Sequence, residues 1–465
     1  MMSSQSASSD AEARVAGPRS LPRRRATWRV LAAATLVVAV AWQAVAQAQV
    51  SFDLGGELGA TLGVDVGGDF TVAQVCAELQ GRGEVGSGFF PDAVFLIEGG
   101  ACYDAAVQAG PQGGVPTDPL DLLYPTPEPF SVWLGEAYAT IYLGSSEVSV
   151  GRQKVAWGSA DALAPLDVIN PHDLGYPVAQ PSDTRLATLM ARLRVAAPEG
   201  IGLDFVFVPV FEPSRLPGRE WQPDVVLPDF PPEAGVIGIA PVLDDRPVAA
   251  LANVQFGVRA TFDLDLFGGT DASVIYFRGF AKLPTMWLRL EPVPGAPGSN
   301  YVQPVLSYDR VHVIGLDFSS VIGAFAVRGD AALTLTDDQA GVDPAVGNPR
   351  FAAVLGAERS LPGGAYLTAQ VTYEHTWPDA GSAAAVNVAS ILALRIEPDA
   401  RLTVQGAWLH DYTDGSGLVQ PSLSYALADG VALTAEGTVF YGRAASRYGA
   451  WSENSNLKVG VAYAF

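Results

Sequence analysis

Few side chains in this sequence could carry chemistry, and their distribution narrows what chemistry that is. Only four histidines occur, His172, His312, His375 and His410. None lies in the local signature of a hydrolase, where a nucleophile, a base and an orienting acid must converge. The sequence therefore assigns no catalytic residue, no metal-ligand set and no cofactor, and an enzyme is not expected. What recurs is charge. Asp161, Asp167, Asn170, His172 and Asp173 crowd one segment, while Arg192, Arg194, Asp204, Arg259, Asp263, Arg328, Asp330, Glu436 and Lys458 sit at alternate positions in otherwise apolar stretches. Fixed charges spaced this way either pair with one another and fill a lumen, or line a water-filled conduit and select what passes.

The elements that must hold these residues are strands. From Trp133 to Leu143, the residues Trp133, Gly135, Ala137, Ala139, Ile141 and Leu143 fall on one side and Glu136, Tyr138, Thr140 and Tyr142 on the other. A period of two marks a strand with one apolar and one wet face. Thr188–Val195 and Ile201–Val210 repeat the alternation, and a turn at Pro198–Gly200 sets Arg194 opposite Asp204 as an ion pair on the wet face. The pattern continues to the C-terminus in about 18 segments of roughly 8–13 residues, the length of tilted strands through a bilayer; 16 is the alternative, because the first segments are the hardest to delimit. Connections alternate in length: short near 144–146, 196–200, 265–270 and 319–322, long at 157–186, 211–253 and 281–309. Sorting by parity is the mark of an outer-membrane barrel, with short periplasmic turns and long extracellular loops. The fold class expected is all-β, a transmembrane antiparallel β-barrel formed by residues 49–465 as a single unit.

Export is written into the N-terminus. Arg23, Arg24, Arg25 and Arg29 precede an apolar run from Val30 to Trp42, and Ala46-Gln47-Ala48 supplies small residues for cleavage. Residues 1–48 read as a signal peptide, since the run is shorter than the roughly 20 residues of a membrane-spanning helix. The chain has a formal net charge of −21, and removing the arginine-rich leader makes it more acidic, so nucleic acid is not an expected partner. Cys76 and Cys102, the only cysteines, fall on consecutive strands that could set them face to face, and in an oxidising compartment a disulfide is expected.

The segment after Glu147–Val155 carries a resemblance. Gly151-Arg152-Gln153, Trp157-Gly158, Asp161 and Asp167-Val168-Ile169-Asn170-Pro171-His172-Asp173 resemble the G-R-Q-x-x-x-W-G and D-[VI]-[VI]-[NS]-P-x-D signatures of an uncharacterised family of bacterial outer-membrane barrels. The likeness extends to Pro209-Val210-Phe211-Glu212-Pro213, Leu216-Pro217 and Trp221, and the G-R-Q element is also similar to one in alginate-export and porin-type barrels. The resemblance implies a fold and an outer-membrane location more firmly than a substrate. On the residues alone, Asp167 and Asp173 around Asn170-Pro171 form either a structural knot of side-chain-to-backbone bonds or a constriction loop folded into the lumen. Arg152 and Lys154 share the parity of lipid-facing Val148 and Val150, and a bulge at Gly151 is expected to turn them inward. Pro-rich loops 211–253 and 281–309 read as a semi-rigid external cap. Acidic Asp244-Asp245 and Asp337-Asp338 read as solvated loop charge, with calcium the rival.

The expected function is a porin-like channel for passive or gated passage of small polar solutes. The alternatives are a barrel that moves a larger or lipidic molecule with periplasmic partners, and a plugged structural or adhesive surface barrel. The expected partners are outer-membrane lipid and, through the alternating last strand ending in Phe465, the barrel-assembly machinery. Monomer and homo-oligomer are both left open.

Overall fold

Alternating residues become a wall when each strand finds two neighbours. The computed structural model describes residues 49–87, 90–107, 128–161, 163–174, 184–216, 230–378 and 384–465; the signal peptide expected over 1–48, and Pro217 and Trp221 of the resemblance, lie outside them. Eighteen strands form one sheet: Gln49–Asp65, Phe70–Ser87, Phe90–Asp104, Phe130–Leu143, Ser146–Gln153, Thr188–Ala196, Ile201–Val208, Gln255–Leu264, Thr270–Phe280, Arg310–Ile322, Phe325–Thr336, Arg350–Leu361, Ala365–Thr376, Ala385–Ile396, Leu402–Asp411, Ser416–Ala428, Val431–Tyr441 and Asn456–Ala464. Each pairs antiparallel with the next in sequence. The sheet closes because the first strand also pairs with the last, Glu57 opposite Ala464 through Asp65 opposite Asn456. Closure removes both edges, which is what lets strands cross hydrocarbon with every backbone group paired.

The two faces are chemically distinct. Outward positions carry large exposed apolar side chains, among them Leu54, Leu79, Ile97, Val150, Val274, Leu316, Leu355, Val439 and Val459. A contiguous band of this kind needs a bilayer to cover it. Aromatics collect at its ends. His375 packs edge-on against Trp377, Trp408 stacks on His410, and His410 stacks on Tyr441; at the other end Tyr463 lies beside Phe465. Three of the four histidines therefore belong to the outer girdle, His312 through a 2.8 Å hydrogen bond between its Nδ1 and the Tyr276 hydroxyl. Connections on one rim are short, as at 144–145, 197–200, 265–269, 323–324 and 429–430, and those on the other include 154–187, 209–254, 281–309 and 337–349. The sorting relaxes at 66–69 and 412–415, which are tight although they lie on the long-loop rim.

Several expectations are corrected in detail. Between Ile97 and Gly99 the register with the fourth strand shifts, so that Ile97 faces Ala137 while Gly99 faces Leu134. The extra residue flips the start of that strand: Phe130, Val132 and Leu134 turn to lipid, and Trp133 turns into the lumen over Gly100 and Gly135. Arg194 does lie opposite Asp204, but the ion pair forms on the diagonal, with Arg192, and Arg194 instead pairs with Glu147 on its other side. The Pro-rich loops are not plain coil. Thr285–Pro292 and Asn300–Ser307 form a hairpin that prolongs the barrel strands ending at Phe280 and beginning at Arg310, and Val236–Ile239 and Leu243–Asp245 add to it in parallel. In the acidic stretches, Asp244 pairs with Arg246. Asp338 accepts the backbone N–H groups of Ala340, Val342 and Asp343, which hold its carboxyl below the usual range.

Cys76 and Cys102 sit directly opposite one another and are joined. The bond staples the second and third strands, which lie beside the seam where the barrel closes. Replacing both by serine frees a loop of 26 residues in the unfolded chain and should lower stability by about 3 kcal/mol, read as an earlier midpoint when the lipid-reconstituted protein is titrated with urea.

Candidate functional site

Within a run of six neighbouring strands, five carry apolar side chains inward as well as outward, which a barrel filled only with water would not tolerate. Met190, Val206, Val208, Ile275, Phe277, Val311, Val313 and Ala332 all point inward and are buried. What covers them is the segment that follows Gln153. It leaves the wall, folds into the lumen and sets Val155, Trp157, Leu166 and Ile169 against that surface as a single core. The wall is shaped to receive it. A Cβ on Gly257 would meet the Trp157 ring at 2.8 Å, and one on Gly315 would collide with the Leu166 side chain.

Polar bonds lock the same contact. The Trp157 indole N–H donates to Asp204 Oδ2 at 3.0 Å, while Arg192 grips the same carboxylate through Nε at 2.9 Å and Nη2 at 2.6 Å. Further along, the backbone N–H groups of Ser159 and Ala160 donate to Asp330 Oδ1 at 2.8 and 3.2 Å. The Ser159 hydroxyl donates to Asp317 Oδ1 at 2.8 Å, which also accepts from Arg259 Nη2 at 3.0 Å. Gly158 makes this approach possible: its φ is +99°, and a Cβ there would lie 2.5 Å from Asp330 Oδ2. Asp161 completes the series by pairing with Arg328, which also reaches Glu358 at 3.7 Å.

The base of the segment is a frame of side-chain-to-backbone bonds. Asn170, fully buried, accepts the Val155 N–H at 2.7 Å and donates to the carbonyls of Gln153 and Leu186 at 2.8 and 2.9 Å. Asp167 is buried and pairs with Arg185 at 2.8 Å and with His172 Nε2 at 3.4 Å. His172 also bonds Thr184 Oγ1 through Nδ1, and Asp173 pairs with Arg215 at 2.9 Å. Of the five residues read as a constriction loop, only Asp161 sits among the lumenal charges; Asp167 and Asn170 are turned into the segment, and His172 and Asp173 tie it to neighbouring loops. The Gly151 bulge does not occur. Register there is regular, Tyr138 opposite Gly151 and Ala137 opposite Arg152, although Gly151 has φ +137°. Arg152 keeps its outward parity and is satisfied at the rim by Glu212 at 3.0 Å and by the Ala187 carbonyl. Gln153 is buried and bonds the Met190 carbonyl. Lys154 lies past the strand end, where parity lapses, and its backbone N–H donates to the inward-facing Glu136 at 2.8 Å.

The expected lumen residues divide into two groups. Asp204 and Asp330 are buried by the docked segment, and Arg192 and Arg259 are largely covered. Asp263 is exposed toward the short-turn rim, and Glu436 lies directly opposite Lys458. Sequence reasoning missed Asp317, because its strand reads as apolar on both faces. It also missed the inward acids Glu57, Glu78 and Glu98 of the first three strands, although it placed Glu136 of the fourth on the wet face. Glu57 is directly opposite Glu78, and Gln80 is opposite Glu98; their place opposite the apolar alternate positions of each strand was the available signal.

Outside the wall, Lys282 caps the core. It is half-buried, donates to Gln255 Oε1 at 2.8 Å and lies 5.3 Å from the centre of the Phe211 ring. Burial lowers its pKa to about 7, against the pull of Glu212. Its ordinary value is 10.5, so between about 7 and 10.5 the unfolded chain holds a proton that the native state does not.

A protein-family description, "Protein of unknown function (DUF1302)", matches residues 130–454. No curated protein matches the chain. Among solved structures, it is similar to Salmonella typhi OmpF in complex with daunomycin (10% identity, covering 89% of this chain and 97% of that one, TM-score 0.42). It is also similar to an anion-selective porin from Comamonas acidovorans (15%, 90% and 100%, 0.41), and to the trimer form of in-vitro folded OmpT from Vibrio cholerae (11%, 90% and 99%, 0.42).

Two outcomes follow from the docked segment. Trp157→Ala empties the centre of its core and should cost about 3–5 kcal/mol, measured as a shift in urea midpoint in lipid. Stability should rise with pH from about 7 toward 10.5, and Lys282→Met should flatten that rise in thermal melts taken across the window.

Proposed function

The chain belongs to the DUF1302 family of proteins of unknown function, and on that footing we propose that it is an outer-membrane channel of porin type, passing small polar solutes with a preference for cations. The observation that carries the reading is the difference between the two halves of the inner wall. Under the docked segment the inward side chains are buried, whereas on the first two strands Glu57, Glu78, Gln80, Arg82 and Glu84 face inward and are exposed. Inward and exposed means facing a water-filled space. That half is acidic: Arg82 is taken by Glu84 at 2.8 Å, which leaves Glu57, Glu78 and Glu98 with Lys154 as the neighbouring cation. A low-dielectric conduit lined by uncompensated carboxylates concentrates cations. The closed wall, the outward apolar band and the aromatic girdles support the outer-membrane location.

The docked segment narrows the lumen by filling one side, with the Asp161–Arg328 pair among its polar contacts. A plugged barrel is the second reading, favoured by the way Trp157, Leu166 and Ile169 pack as a core rather than as a loose loop. For assembly, the last strand is the element we assign to the barrel-assembly machinery. Its terminal Phe465 exchanges backbone bonds with Gly56, so that strand makes the seam.

The test is conductance and reversal potential in a planar bilayer under a potassium chloride gradient. The wild type should open in discrete steps with a cation-selective reversal potential. Glu57→Gln/Glu78→Gln/Glu98→Gln should lower the permeability ratio several-fold, and Asp161→Ala/Arg328→Ala should widen conductance without reversing its sign. A folded, inserted protein that stays closed at all voltages would replace the channel with the plug.

A further inference from the structure

The outward face of the barrel is not neutral everywhere. Following the register around the wall, no aspartate or glutamate occupies an outward strand position among the described residues, and the charged side chains found there are all arginines: Arg152, Arg278, Arg310 and Arg359. In a chain whose net charge is −21, that exclusion has to have a cause. Arg152 is matched by Glu212, and Arg359 lies at the short-turn end over the Phe325 ring. Neither Arg278 nor Arg310 forms an ion pair among the described residues, and Asp337 is the carboxylate whose charge acts on Arg310 without pairing with it.

These two sit together at the long-loop end of adjacent strands. Arg278 is opposite His312, and Phe280 is opposite Arg310, on the same outward face. Each guanidinium rests on an aromatic ring, Arg278 on Phe256 at 5.9 Å and Arg310 on Phe280 at 4.5 Å. Stacking of this kind holds the plane of the group, and it leaves the half-exposed Arg278 guanidinium free to donate. Arg310 Nη2 also bonds the Ala252 carbonyl and Asn253 Oδ1, both at 3.1 Å. That hangs the turn Leu251–Asn253 beside the patch, and on it Leu251 is 90% exposed, with Val248 nearby at 72%. Two cations over aromatic rings, next to apolar side chains that nothing in the protein covers, match the chemistry of a membrane interface: acyl chains against the leucine and valine, phosphate against the arginines. Like charges side by side cost free energy until an anion joins them.

We propose that Arg278 and Arg310, with His312 beside them, form a binding site on the barrel's outer surface for the phosphorylated headgroup of a lipid in the leaflet facing the long loops. The Arg278 guanidinium donates to phosphate oxygens with the charge of Arg310 beside it, and Leu251 and Val248 enter the acyl region. The site is separate from the lumen, so it stands or falls independently of conduction.

The test uses the refolded full-length barrel in detergent, titrated with diphosphoryl lipid A and followed by thermal unfolding and by native mass spectrometry. The wild type should gain stability saturably and retain the lipid. The same glycolipid stripped of phosphate should bind at least tenfold more weakly, and inorganic phosphate alone should give no stabilisation. Arg278→Gln/Arg310→Gln, checked for folding by heat-modified migration, should lose at least tenfold in apparent affinity, whereas Arg359→Gln at the opposite rim should behave as wild type. Equal binding of the phosphate-free lipid, equal loss in Arg359→Gln, or full retention by the double variant would overturn the site. Tight binding of inorganic phosphate alone would overturn its assignment to lipid.

Discussion

A peptide group left without a hydrogen-bond partner in hydrocarbon costs several kcal/mol, and a strand has two rows of such groups. The seam between Gln49–Asp65 and Asn456–Ala464 settles that constraint for the whole chain, since without it the first and last strands would each present an unpaired edge to lipid. Much else follows from it. Closure forces every residue to face either lipid or lumen, and so turns a one-dimensional alternation into an inside and an outside. It also fixes which side of each strand can hold charge. The disulfide between Cys76 and Cys102 and the bonds between Phe465 and Gly56 both fall near the seam, where the closing strands are joined to the rest.

Inside the barrel a second constraint operates. A lumen of this circumference is too wide for its own side chains to fill, so it holds water or a piece of the chain. Here a piece of the chain takes up one side. One half is packed by the segment from Val155 to Ile169 and behaves as a soluble protein's core, with Trp157 and Leu166 seated against glycines of the wall and each buried carboxylate given donors. The other half keeps exposed acids. Burial in the first half carries a requirement: Asp204, Asp317 and Asp330 are tolerable there because Arg192, Arg259 and the N–H groups of the segment donate to at least one oxygen of each. The charges of the docked half therefore hold structure, and those of the other half remain exposed.

How much of this was legible can be judged from particular strands. Val431–Tyr441 and Asn456–Ala464 announced both faces, because lipid on one side and water on the other impose opposite chemistries. Arg310–Ile322 did not: Val311 and Val313 on the inner face and Ile314 and Leu316 on the outer read as one apolar run, and only the docked segment explains the inner set. Trp133 was placed on the wrong face because a single extra residue near Glu98 inverts parity, and nothing in the local composition marks where a bulge will fall. The partner of Asp204 was off by one position along its neighbour, since side-chain reach selects the diagonal Arg192 over the directly opposed Arg194.

By itself the sequence determined the class of fold, the sorting of short turns from long loops and the pairing of the two cysteines, and it narrowed the strand number to 16 or 18. These depend on periodicities of two and on distances along the chain, which are local quantities. Only the tertiary structure decided which inward residues are buried and which are wet, because that depends on where one segment of the chain lies across the lumen from strands far away in sequence. It also decided that Arg278 and Arg310 meet on the outer surface, a juxtaposition made by the register between two strands separated by a long hairpin.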